Sequence, residues 1–176
     1  FNAIVLLATI LTLLPQATHA LEVKKGQRIV LLGNTLAERM QHHGWLETYA
    51  QLSMPDKKLT FRNHGFCGDK IDSRPRNRGF IDPHTYLEIS KADVILTFFG
   101  ANEAWDNNPS DYGTKLGKWV DETLTKKYNG QSAPVIVLFS PIAHENLDSP
   151  NFPDGKEQNE KLKKIAEATA KVAKEK

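Results

Sequence analysis

A single cysteine, Cys67, occurs in the 176 residues, so no internal disulfide and no cysteine-rich metal site can form. Neither sign of charge dominates: 23 basic residues stand against 21 acidic ones, a net of +2. That balance gives no electrostatic footprint for nucleic acid or for an anionic membrane surface. There are no internal repeats and no low-complexity segment. Residues 1–20 lack Lys, Arg, Asp and Glu altogether. Ala3 to Leu14 is almost wholly apolar, Pro15 breaks it, and Ala17-Thr18-His19-Ala20 offers small residues for a cut after Ala20. This pattern reads as a secretory signal peptide, removed from a secreted or periplasmic chain that starts at Leu21. The apolar run is too short for a comfortable transmembrane helix, and an N-terminal anchor or a buried helix is the alternative. The chain begins at Phe1 rather than Met and has no basic n-region, so a few residues are expected upstream.

What remains suits one domain with a sizeable core. Its organising stretch is Arg28 to Met40. Ile29-Val30-Leu31-Leu32 is the continuous apolar run of a strand buried on both faces, as in a parallel sheet. Gly33 ends it, Thr35 follows at the turn, and Leu36 to Met40 reads as the first turns of a helix. One helix is expected from Leu36 to Leu52, with Met40, Trp45, Leu46, Tyr49 and Leu52 as its apolar side and Gly44 a weak point. Leu59 to Asn63 alternates as a second strand, and a glycine-bearing loop runs from His64 to Lys70. Ile71 to Gly79 is polar and irregular, and Asp82-Pro83 caps a short helix to Ile89. Asp93 to Phe99 is the strongest strand, Tyr112 to Tyr128 a helix, Pro134 to Phe139 a fourth strand, and Lys156 to Lys176 an amphipathic helix. Four strands alternating with four helices predict a three-layer α/β/α domain around a parallel sheet.

Three loops at strand ends carry the chemistry. They are Gly33-Asn34-Thr35-Leu36, Asn63-His64-Gly65-Phe66-Cys67-Gly68-Asp69 and Gly100-Ala101-Asn102-Glu103. Taken one at a time, the glycines could be ordinary turn residues and Asn102 a cap. In order, each after its own strand, they resemble three of the four blocks of the SGNH (GDSL) hydrolases: Gly-Asp-Ser-Leu, Asn-x-Gly-x-x-Gly-Asp and Gly-x-Asn-Asp. The resemblance covers about Arg28 to Ile142. It implies a flavodoxin-like strand order with a fifth strand beyond Lys176. It also implies that Thr35 is the nucleophile, and that the Gly68 N–H and the Asn102 amide are oxyanion donors. Asn34, Glu103 and His144 are expected to line the binding site. No metal or organic cofactor is implied.

The departures from the family pattern are chemical. Thr35 stands for the family's Ser, and its extra methyl crowds attack and restricts χ1. Asn34 stands for an acid and Glu103 for Asp. The fourth block, Asp-x-x-His, which supplies base and orienting carboxylate, has no counterpart in the chain; it is expected beyond Lys176, making residues 21–176 an incomplete SGNH-like domain. His144, beside Glu145 after the fourth strand, is the best internal candidate for the base, although a lone loop His is more often a surface or pocket-lining residue. His64 is a weaker candidate, His42-His43 diverge on a helix, and Cys67 reads as a pocket-wall residue before a thiol nucleophile. Arg74, Arg76 and Arg78 form a basic cluster that reads as a solvated loop.

Two functions follow. One is an exported esterase for small acyl esters, carbohydrate acetyl groups among them, within a larger exported protein. The other is a non-catalytic carbohydrate- or ligand-binding module on the same fold. A flavodoxin-like nucleotide binder is disfavoured, because the first loop lacks Gly-x-Gly-x-x-Gly. Export makes a direct prediction: secreted protein sequenced from its N-terminus should begin at Leu21, whereas a start well upstream would identify an anchor.

Overall fold

The structure, a computed structural model, describes residues 21–75 and 81–176. The expected signal segment and the Arg76 and Arg78 part of the basic cluster lie outside the described residues. Strands β1 (Arg28–Gly33), β2 (Thr60–Asn63), β3 (Val94–Phe98) and β4 (Val135–Leu138) form one sheet in the order β2-β1-β3-β4. Every pairing is parallel. Helices α1 (Thr35–His43), α2 (Trp45–Ser53), α3 (Pro83–Ile89), α4 (Pro109–Leu124) and α5 (Lys156–Glu175) supply the crossovers and the outer layers.

The pleat of β1 sorts its side chains into two cores. Val30 and Leu32 face a cluster with Leu87 of α3, Leu116 and Trp119 of α4, and Leu162 and Ile165 of α5. Ile29 and Leu31 face the opposite cluster, with Ala37, Met40 and Ala50 of α1 and α2. Because β1 and β3 are covered on both faces, neither strand alternates with polar residues; the buried Thr97 is the one polar residue within β3, and its hydroxyl donates to the Val137 carbonyl. This is the expected three-layer α/β/α arrangement.

The expected single helix from Leu36 to Leu52 is two helices. Gly44 adopts a left-handed backbone at φ +61° and donates its N–H to the Met40 carbonyl, which ends α1 and starts α2. The break also overturns the α2 part of the expected apolar face, whereas Met40 on α1 packs on the core as expected. No residue of α2 is buried; Trp45 is 65 % exposed, Tyr49 64 % and Leu52 73 %, with the Trp45 and Tyr49 rings stacked on each other. The helix around Tyr112 begins earlier than expected, at Pro109, because the Asn108 side chain accepts the Asp111 N–H as an N-cap. It also ends earlier, at Leu124. The Asp82 cap is as expected: its carboxylate accepts from the His84 and Thr85 N–H groups, and these bonds outweigh its burial and hold its pKa below the ordinary value.

These packing differences set an expected stability contrast. Leu87→Ala, at a position with 0 % exposure, should destabilise the protein by about 2–5 kcal/mol. Leu52→Ala should stay within about 0.5 kcal/mol. Urea unfolding of the two variants checks the contrast.

Candidate active site

Parallel pairing brings the ends of β1, β2 and β3 to one edge of the sheet. Gly33 is in register with Phe98, so the loops after β1 and β3 leave side by side, and the Asn34 N–H donates to the Phe98 carbonyl at 3.2 Å. Thr35 is the first residue of α1, and the Glu38 N–H closes the first helical bond, to the Asn34 carbonyl. The N–H groups of Thr35, Leu36 and Ala37 therefore precede the helix ladder, and the positive end of the helix dipole lies at Thr35.

The loop after β2 is folded back onto this turn. The Asn63 side chain donates to the Ala37 carbonyl at 2.6 Å and accepts the Gly65 N–H at 2.8 Å. The Phe66 N–H reaches the Gly33 carbonyl at 2.9 Å. Gly65 lies so close to α1 that an added Cβ would collide with Ala37 and the Glu38 backbone. Beyond it, Gly68 turns at φ +87° in open space. That left-handed conformation is one that glycine adopts without penalty.

Two contacts link the three loops. Thr35 Oγ1 donates to Cys67 Sγ at 3.3 Å, and Asn102 Nδ2 donates to the Asp69 carbonyl at 2.9 Å. Gly68 sits between those two partners in sequence. Thr35, Gly68 and Asn102 thus meet at the carboxyl edge. Thr35 is half-buried and Gly68 exposed. Asn102 Nδ2 carries two hydrogens, so one remains after the bond to Asp69.

The other expected site residues lie differently. Asn34 is 2 % exposed, and its Nδ2 makes no hydrogen bond to a described residue. Glu103 is turned inward at 5 % exposure. One of its oxygens accepts the Gly100 N–H and the other the Ile71 N–H, each at 2.8 Å. Burial pushes its carboxyl above the ordinary glutamate range, against the opposing pull of those hydrogen bonds. His144 is exposed; its backbone N–H and carbonyl are clamped by the Asn159 side chain, and its imidazole makes no hydrogen bond to a described residue. His64 is buried against Ser90 and Tyr86, and Arg74 lies over the Phe99 ring. Sequence reasoning did not find the Glu103 tie, the Asn63 clamp or the Lys70–Asp106 ion pair across the second and third loops. The spacing of Asn63 and Gly65 is the one signal that pointed to a clamp, since Asn commonly bonds the backbone two residues on. Among the described residues, no group of three or more His, Cys, Asp or Glu side chains is placed to hold a metal ion.

This strand order, with the three loops at its carboxyl edge, is the fold of the SGNH (GDSL) hydrolases. The chain matches no protein-family model and no curated protein sequence. Its fold is similar to that of an acetylxylan esterase from Geobacillus stearothermophilus, solved as a catalytic mutant, with TM-score 0.63 and 13% identity over 88% of this chain and 75% of that one. It is also similar to a putative GDSL-like lipase from Parabacteroides merdae, with TM-score 0.64 and 20% identity over 88% and 76% of the two chains. An alpha/beta hydrolase enzyme from the metagenome of Lake Arreo matches with TM-score 0.62 and 15% identity over 86% and 74%.

The close approach of the second loop to α1 is testable. Gly65→Ala should lower stability by about 1–3 kcal/mol, since the new methyl meets backbone that cannot give way cheaply. Gly113→Ala, within α4, whose added Cβ would make an ordinary contact with Ala168 of α5 at 3.7 Å, should be neutral or stabilising. Chemical denaturation of the pair measures the difference.

Proposed function

We propose that this chain is an esterase of the SGNH type, exported from the cell, that hydrolyses small acyl esters, with acetyl groups on carbohydrate as the favoured class. The observation that carries this reading is the meeting of Thr35, Gly68 and Asn102 through the Cys67 and Asp69 contacts. The acetylxylan esterases among proteins of similar fold support the substrate class. In this reading Thr35 Oγ1 attacks the ester carbonyl. The carbonyl oxygen gains charge as the tetrahedral intermediate forms, and the N–H groups of Thr35 and Gly68 and the free hydrogen of Asn102 stabilise it. Donors fixed before the reaction are worth roughly 3–4 kcal/mol each, because they cost no reorganisation as the charge develops. Collapse expels the alcohol and leaves an acyl group on Thr35, which water then removes. A base must take the Thr35 proton. No described residue does so: the hydroxyl donates to Cys67 Sγ. That same contact favours the second reading, a carbohydrate-binding module with a silent nucleophile position.

The test uses the natural full-length protein with p-nitrophenyl acetate and acetylated xylan. Thr35→Ala should abolish turnover. Asn102→Ala should lower the chemical step on the order of a hundredfold, the usual scale for one oxyanion donor. Thr35→Ser should retain or raise activity, since the smaller side chain reaches the carbonyl with less crowding. If the natural protein and Thr35→Ser are both inert while folded, the esterase reading fails. Calorimetry with xylo-oligosaccharides then examines the binding module.

A further inference from the structure

We infer that Glu103 is a positioning residue that couples the two loops carrying Gly68 and Asn102, so that both donors are held by one buried carboxylate. The inference rests on the esterase reading for its catalytic consequence, and on geometry alone for the coupling. The two oxygens of Glu103 divide between the loops. Oε2 accepts the N–H of Gly100, which opens the turn leading to Asn102. Oε1 accepts the N–H of Ile71, three residues after Gly68. Both bonds are buried and 2.8 Å long.

A carboxylate is the group this position needs. The two N–H groups come from different loops and both require an acceptor; an ionised carboxylate accepts at both oxygens. An amide would present one acceptor and one donor, and the donor would face an N–H. Two outer contacts run in parallel. Asn102 Nδ2 holds the Asp69 carbonyl, and Lys70 Nζ meets the Asp106 carboxylate at 2.6 Å. The Lys70–Asp106 pair is partly exposed and is worth little on its own. The buried Glu103 bonds are therefore the firm part of the tie. Donor placement within about 0.5 Å is what preorganised sites require, and a displacement of about 1 Å can cost a hundredfold in rate.

Two measurements decide the inference. In native-state hydrogen exchange of the natural protein, the Ile71 and Gly100 amides should open in one event, with equal opening free energies and equal denaturant slopes. Unequal values overturn the coupling, and this arm needs no variant. In Glu103→Gln, the NMR signals of the Gly68 amide and of the Asn102 side chain should both shift, while those of Ile95 in β3 stay in place. Unmoved Gly68 and Asn102 signals in the folded variant overturn the inference. For ester hydrolysis, Glu103→Gln should lower kcat about tenfold to a hundredfold and leave KM within about threefold, the pattern of a group acting through transition-state donors. An unchanged kcat overturns the positioning role. If the natural protein hydrolyses no ester, the esterase reading fails, and exchange together with NMR still decides whether Glu103 couples the loops.

Discussion

Everything at the candidate site depends on β1 being paired on both sides by parallel strands. A strand between β2 and β3 must be apolar on both faces, which is why Ile29 to Leu32 carries no polar residue. Parallel pairing then dictates that the chain leaves all three strands at the same edge. An antiparallel neighbour would have put the Asn102 turn or the Gly68 loop at the opposite end. The register fixes the separation as well. Gly33 lies opposite Phe98, and an added Cβ at Gly33 would strike the Phe98 carbonyl oxygen at 2.5 Å. The missing side chain is what lets the Asn34 N–H reach that carbonyl. The first and third loops are therefore registered by backbone contact before any side chain at the site takes part.

On that frame the protein buries polar groups where an apolar core would be more stable. Asn34, Asp69 and Glu103 are all buried at the sheet edge. At Asn34 a neutral amide avoids the desolvation cost that an ionised carboxylate would carry. At Glu103 the cost is retained. Its folded-state pKa is raised, so the folded state holds its proton more tightly than the unfolded chain. Stability from that difference is present below the ordinary glutamate range and is lost as pH rises through the raised value. The return is two loops tied to one carboxyl group by two buried hydrogen bonds. Strain and buried polarity commonly gather where positioning is needed.

The sheet and the three loops were legible because their signals are local. A β-rich apolar run ended by Gly identifies β1 and β3 without knowledge of the rest, and Asp82-Pro83 caps α3 through its own neighbours. The second half of the first helix was not legible. Met40, Trp45, Leu46, Tyr49 and Leu52 fall at helical spacing, yet spacing holds only for an unbroken helix; after the Gly44 break α2 packs through Ala50 and leaves Trp45, Leu46, Tyr49 and Leu52 exposed. At the sheet edge, the loops of Thr35, Gly68 and Asn102 could be marked by motif, while the hydrogen bonds of Glu103 could not. Its two hydrogen-bond partners come from Gly100, nearby in sequence, and from Ile71, far from it; only the fold brings Ile71 there. His144 looked eligible because it follows β4 at the same edge. Its neighbour Asn159 on α5, which clamps its backbone, could not be read from the loop itself.

The Thr35–Cys67 contact bears on how such a site could be switched into action. A threonine side chain has two heavy atoms on Cβ, so its hydroxyl has few directions to point. Here it points to a thiol sulfur at 3.3 Å. Sulfur is a weak acceptor, and a hydroxyl bonded to it gives up little when a better acceptor arrives. An imidazole brought to the edge would therefore compete readily for the Thr35 proton, and the bond to Cys67 would hold the hydroxyl aimed across the loops until then. A carboxylate or carbonyl in place of Cys67 would hold the same proton more firmly and oppose its transfer. The soft acceptor orders the Thr35 hydroxyl without holding its proton firmly.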